Sequence, residues 1–469
     1  MQKVQRIVET NVTKYFPLTT FLKEKSICRF LSSLVRDIEE ADKSWMKRKK
    51  DILNAASITT VANVETDIPK SNMYNSGIDT EIRTHIETHS AHVSLFSNIS
   101  IGERIYDIYI VQEAGKRLTR SKMRYIYCWL HVLQKHAPIR NTGASPPGGE
   151  AALCSKNVKI YLYLSSLQKL VPDSYAEPVC TKHVNTAVTT GCQHSSEVNI
   201  FRLEEWFKVL IHESFHNTGL DFIEINPDVL ASVNKSIKQV FPVNVDDLRL
   251  YETWCEMWAE ILYNLFALTM TKSKTKTKTK TKTKTTMIIQ TKRRGGATKS
   301  KTKKSKSKPN SKSNNMISPQ SSMVILRELD KRLTRESIFS SVQCGKLLRT
   351  QHLTYEDLCT NPSKTAKYEE TTQCFCYYVL KGIWMIHFTD FLLFSVQMHS
   401  NTSADIQSSP IDFRLDNPDN HLQAYAEQLL SLALKKTTRE FMSTGLKILE
   451  TEVDDDFFQN TLRMSLYDV

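Results

Sequence analysis

Residues 203–217 read LEEWFKVLIHESFHN. Leu203, Phe207, Leu210, Ile211 and Phe215 recur at helical spacing and trace one apolar stripe, so the stretch is predicted to be an amphipathic helix. Glu204 and Glu205 fall in its expected first turn, where negative charge suits the helix dipole, and Gly219 is placed to cap its end. Inside it, His212-Glu213-Ser214-Phe215-His216 is an H-E-x-x-H motif. Positions i and i+4 share one helix face a turn apart, so the two imidazoles can converge on one cation. Glu213, beside the first of them, can reach a water on that cation and take its proton. Zinc suits this task, because it is a Lewis acid without redox chemistry and lowers the pKa of a bound water towards neutrality.

Tetrahedral zinc needs a third protein ligand and keeps its fourth position for water. Downstream, residues 251–260 read YETWCEMWAE and belong to a second predicted helix, about 248–268. Glu252, Glu256 and Glu260 stand at i, i+4 and i+8 on one face, while Trp254, Trp258, Ile261, Leu262 and Leu265 supply apolar packing. A row of carboxylates on such a helix is costly to bury unless positive charge offsets it. Glu252 is the expected third ligand, with Glu256 hydrogen-bonded to the outer nitrogen of a ligand histidine. The alternative makes Glu256 the ligand and sets Glu260 behind it.

Outward from these helices, residues 104–111, 158–165, 184–190 and 198–201 are rich in strand formers, and 121–135 reads as a helix. The first hundred residues read as helical pieces, notably 20–38, with a polar loop over 54–79; 141–150 is a breaker-rich loop. Helical patterns resume from Met323, with 371–397 the most apolar of them; 374–398 is long and apolar enough to suggest a membrane span, but it contains Lys381, His387 and Asp390, and a buried helix is expected there instead. The expected fold class is α+β, mostly helical, with a small sheet packed on the motif helix and the glutamate helix. The expected organisation is a helical region over 1–100, a metal-binding core over 101–270, a disordered linker over 271–322 and a helical region over 323–469.

The formal charge of +13 is local. Residues 271–313 carry 17 Lys and Arg and no acid; the rest of the chain has 46 basic against 50 acidic residues. That Lys/Thr/Ser-rich run cannot bury a core and reads as a low-complexity linker. An electrostatic tether for nucleic acid is the less favoured reading, since no aromatics interleave the lysines. The ten cysteines show no framework spacing and the first residues form no signal-peptide core, so reduced thiols in an intracellular, non-secreted protein are expected.

The motif pair resembles that of the gluzincin metallopeptidases, in which H-E-x-x-H on one helix is joined by a glutamate from a second. The run from Glu252 to Leu262 is similar to the glutamate helix of the small, compact gluzincins, whose ligand glutamate aligns with Glu252. More closely, VKIYLYLSSLQKLVP, HVNTAV, FRLEEWFKVLIHESFHNTGLDF and YETWCEMWAEI, between Val158 and Phe266, resemble zinc metalloprotease-like proteins of the giant nucleocytoplasmic DNA viruses; CYYVLKGI does so more weakly. The resemblance implies a zinc-dependent peptidase with Glu213 as general base, acting on a protein or peptide in host cytoplasm or virion. It leaves the donor to the developing oxyanion open, with Tyr251 and His183 as candidates. An inactive zinc-binding virion or host-interaction protein is the alternative, and an accidental motif in a basic, nucleic-acid-associated chain is a third.

Overall fold

The computed structural model describes residues 1–15, 20–115, 120–141, 153–174, 177–222, 225–293, 319–400, 413, 417–452 and 455–468. The chain is mostly helical with one mixed six-stranded sheet. Its strands are β1 (Ser57–Thr60), β2 (Ser90–Ile101), β3 (Arg104–Glu113), β4 (Asn157–Leu164), β5 (Ala187–Thr189) and β6 (Ser195–Ile200), in the order β1-β2-β3-β4-β6-β5. β3, β4 and β6 run parallel, and β1, β2 and β5 are antiparallel to their neighbours.

Alternation along the parallel strands builds two cores. Val158, Ile160 and Leu162 of β4 face the large helical core, while Tyr161 and Tyr163 face a smaller one beneath the short helices that carry Ile68, Tyr74, Ile82 and Ile86. The large core draws Leu31 and Trp45 from the first hundred residues, Phe207 and Trp258 from the middle, and Phe339 and Trp384 from the last third. The helix Lys25–Asn54 packs against both Arg120–His136 and the glutamate helix, so all three regions share one interior.

The sheet starts earlier in the chain than expected. β1 lies within the predicted loop 54–79, and β2 within the region read as helical pieces. The alternation of β2 is broken by a register shift between Phe96 and Ile99, where Asn98 takes a positive φ of 54°, and that bulge hides the strand from a period-two reading. The candidate 184–190 is shorter than expected: Thr181–Val184 forms a helical turn and only Ala187–Thr189 pairs. Helix Pro227–Val240, capped by Asn226 with proline at its start, fills a stretch that carried no expected element.

The motif helix spans Trp206–Thr218 and ends at Gly219 in the left-handed conformation, φ 64°, as its glycine suggests. Its start differs. Glu205 has φ 57° and precedes the helix, so Glu204 and Glu205 do not serve the dipole; they are buried against Arg463 and Lys169. Nor is the helix amphipathic: every residue from Trp206 to Phe215 is buried.

The glutamate helix is described from Leu250 to Arg293, by its backbone alone beyond Thr271; residues 294–318 of the expected linker, and the loop 142–150, lie outside the described residues. The apolar segment breaks at His387 into Phe375–Ile386 and Phe388–Met398, bent by 90°. No single helix among the described residues is long and apolar enough to cross a membrane.

Cys154 and Cys192 are disulfide-bonded, contrary to the expectation of reduced thiols throughout. The cause is topological: they stand in the loops that lead into the neighbouring parallel strands β4 and β6, which brings their Cα atoms to 4.8 Å.

Helix Lys436–Thr451 crosses Pro319–Arg349 at Gly445, where an added Cβ would sit 2.3 Å from the Ser341 carbonyl carbon. Gly445→Ala is therefore expected to cost about 1–3 kcal/mol, read as a lower melting temperature. An unchanged melting temperature would contradict this packing.

Candidate metal centre

The motif helix lies against β5 and β6 on one side and the glutamate helix on the other. This arrangement turns His212 and His216 towards Glu252. His212 Nε2 and His216 Nε2 are 3.0 Å apart, and each is 3.2 Å from Oε2 of Glu252. Tetrahedral zinc with bonds of about 2.0–2.1 Å holds its ligand atoms about 3.3 Å from one another. The three atoms already have that spacing, so the residues present fit such an ion.

The outer nitrogens are also occupied. His216 Nδ1 is 2.6 Å from Asp221 Oδ2. His212 Nδ1 is 3.2 Å from Glu256 Oε1, an ion-pair separation without a well-angled hydrogen bond. Carboxylates in these places fix the tautomer that presents Nε2 to a metal and raise the basicity of the ring. Glu256 therefore stands behind His212, while Glu260 is further away, bonded to Lys381 and Ser465.

These contacts dominate the titration of the site. Burial disfavours charge on His212, but the Glu252 and Glu256 carboxylates, each 3.2 Å from one of its nitrogens, outweigh it and lift the pKa to about 9. His216 is likewise raised, against burial, by Cys255, Glu252 and Asp221. Burial would raise Glu252, yet the two imidazoles hold it well below the usual carboxylate range. Glu213 behaves in the opposite way. Burial pushes its carboxyl up, against the pull of the histidines, and among the described residues it makes no side-chain hydrogen bond or ion pair.

A cavity of 640 Å³ opens on this cluster, lined by His212, Glu213, His216, Glu252, Tyr251 and Tyr377 among others. Tyr377 was not singled out in the sequence. Its hydroxyl donates to Glu252 Oε2 at 3.2 Å, and it sits on a π-helical turn, Phe375–Leu380, a distortion frequent at functional sites. A tyrosine 125 positions from its partner leaves no spacing signal. Asp221 could have been found: an acid five residues past the second histidine, just beyond the capping glycine, can fold back onto it. Of the two oxyanion candidates, Tyr251 lines the cavity with its ring 6.0 Å from that of His216. His183 instead lines a separate cavity beside Glu177 and Lys182.

Two further groups have metal-like composition. His216, Asp221 and Cys255 would use the Nδ1 that Asp221 already holds, and burial keeps the Cys255 thiol protonated by raising its pKa to about 12. Glu177, Cys180 and His183 are compromised by Lys182, which pairs with Glu177 at 2.7 Å, and by the Cys180 N–H, which donates to His183 Nδ1.

Comparisons of the chain with protein-family models, curated proteins and solved structures give no match, so the reading of the site rests on its geometry.

Two measurements check the centre. Purified protein is expected to take up about one zinc per chain, lost in His212→Ala and in Glu252→Gln; a Glu252→Gln chain with unaltered affinity would move the third ligand elsewhere. Because zinc must displace protons from the raised histidines, its affinity is expected to tighten about ten-fold per pH unit for each proton released as pH rises from 6 to 9. A flat profile would contradict this protonation.

Proposed function

We propose that the chain is a zinc-dependent metallopeptidase of gluzincin type, with His212, His216 and Glu252 as ligands and Glu213 as general base. The observation that carries the reading is the set of three ligand atoms at tetrahedral spacing, with an unpaired carboxylate beside them in an open cavity. Bound there, zinc would supply a Lewis acid that polarises a substrate carbonyl and makes water a nucleophile near neutral pH.

The remaining roles belong to the protein. Glu213, its proton affinity raised by burial, takes the proton of the attacking water and passes it to the leaving amine. Tyr377 brings the hydroxyl nearest the ligand set and serves as donor to the charge that develops on the carbonyl oxygen. β5 pairs only with β6 among the described residues, and Ala187, Val188 and Thr189 line the same cavity. An extended peptide can lie along this edge by strand addition, which suits a protein or peptide substrate.

Glu213→Gln is expected to retain zinc and lose about 10²–10⁴-fold in peptide hydrolysis. Activity that persists in that variant refutes the mechanism, and a wild-type chain that binds zinc yet cleaves no peptide library favours the inactive zinc-binding alternative. Tyr377→Phe is expected to lower kcat by about 10²–10³-fold with little change in KM. An effect confined to KM would reassign the tyrosine to substrate binding.

A further inference from the structure

Behind the ligands the two catalytic helices are joined by buried charges. Glu256, whose Oε1 faces His212, receives Lys208 on its Oε2 at 2.7 Å, and Lys381 stands 3.8 Å from the same oxygen. Lys381 is itself held by Glu260 at 2.9 Å and by the carbonyl of Met464 at 2.7 Å. The segment 461–467 threads through this interior, and the core binds much of its backbone. Glu205 accepts from the Met464 N–H and Glu336 from the Leu466 N–H, while Tyr378 donates to the Leu462 carbonyl and Tyr263 to that of Tyr467. Ser465 bridges Glu260 and Glu336.

Such a network is poor value as stability alone, since well-packed apolar side chains in its place cost less desolvation. It reaches the site at Glu256. The contacts run from the Met464 carbonyl through Lys381 to Glu256, and from Glu256 to the outer nitrogen of His212. A carboxylate in that position has rotamer freedom unless its second oxygen is anchored, and Lys208 and Lys381 are the cations that reach it.

We propose that Lys381, anchored by the buried segment 461–467, is a positioning residue of the metal centre: with Lys208 it fixes Glu256, and through Glu256 the tautomer and orientation of His212. The inference rests on the metal-site reading of His212, His216 and Glu252. It makes the last third of the chain part of the metal site without contributing a ligand. Arg104 is the internal control, because it is as deeply buried but donates to the carbonyls of Ser155 and Ala137, away from Glu205, Glu256 and Glu260.

The test uses the full chain and zinc itself, with affinity read by competition against a chelator, and cobalt(II) as spectroscopic probe. Lys381→Met is expected to weaken zinc about 10-fold or more and to shift the visible absorption of the cobalt-loaded protein. Arg104→Met is expected to lower the melting temperature but leave zinc affinity and the cobalt spectrum as in the wild type. Lys381→Arg, which keeps the cation, should restore part of the affinity. If Lys381→Met does not fold, Lys381→Gln is measured in the same way, since it keeps a donor for the Met464 carbonyl and drops the charge. A folded Lys381 variant with wild-type affinity and spectrum overturns the proposal, as does an Arg104→Met chain that weakens zinc equally. A wild-type chain that binds no zinc would instead overturn the metal site on which the proposal rests.

Discussion

Three side-chain atoms from two helices, His212 Nε2, His216 Nε2 and Glu252 Oε2, meet at 3.0–3.2 Å from one another, and that convergence constrains the rest of the molecule. Two imidazoles and a carboxylate cannot be brought out of water at that spacing without further charge around them. Asp221 and Glu256 answer the histidines from behind, and Lys208 and Lys381 answer Glu256 in turn. The motif helix is consequently polar on the inside, with Lys208, His212, Glu213, Ser214 and Asn217 all buried. Its stability comes from packing against β5, β6 and the glutamate helix rather than from a single apolar stripe facing a core.

The sheet and the late helices serve this enclosure. β6 delivers the chain into the motif helix, and Arg202, just after β6, ties the edge-strand region down by donating to the carbonyls of Asn185, Gln168 and Lys182. From the other side, the π-helical turn Phe375–Leu380 brings Tyr377 to the cavity and Tyr378 to the segment 461–467. The motif and glutamate helices therefore come from the middle of the sequence, and Tyr377 and the supporting segment 461–467 from its last third.

What was legible in the sequence follows from how local each signal is. H-E-x-x-H and the glutamate row at i, i+4 and i+8 are written in helical spacing, and His212, His216, Glu252 and Glu256 lie together, with Glu260 further away. β3 and β4 were readable because aliphatic and aromatic residues crowd them, and β6 only from Val198 on, since its first half, Ser195-Ser196-Glu197, is polar. β2 was not, because a bulge at Asn98 breaks its alternation. Glu204 and Glu205 were read as dipole partners, although their cations, Arg463 and Lys169, are placed by tertiary folding. Tyr377, Lys381 and the Cys154–Cys192 bond belong to the same class: each partner is distant in sequence, and a single chain carries no spacing rule for such pairs.

The central claim concerns the atoms that surround the metal, and X-ray absorption at the zinc edge of the zinc-loaded chain reads those atoms directly. The account predicts two imidazole nitrogens and carboxylate oxygen at about 2.0–2.2 Å in four-coordinate geometry, with no sulfur. A scatterer at about 2.3 Å, the zinc–sulfur distance, would place Cys255 or another thiol on the ion and contradict the His212–His216–Glu252 centre.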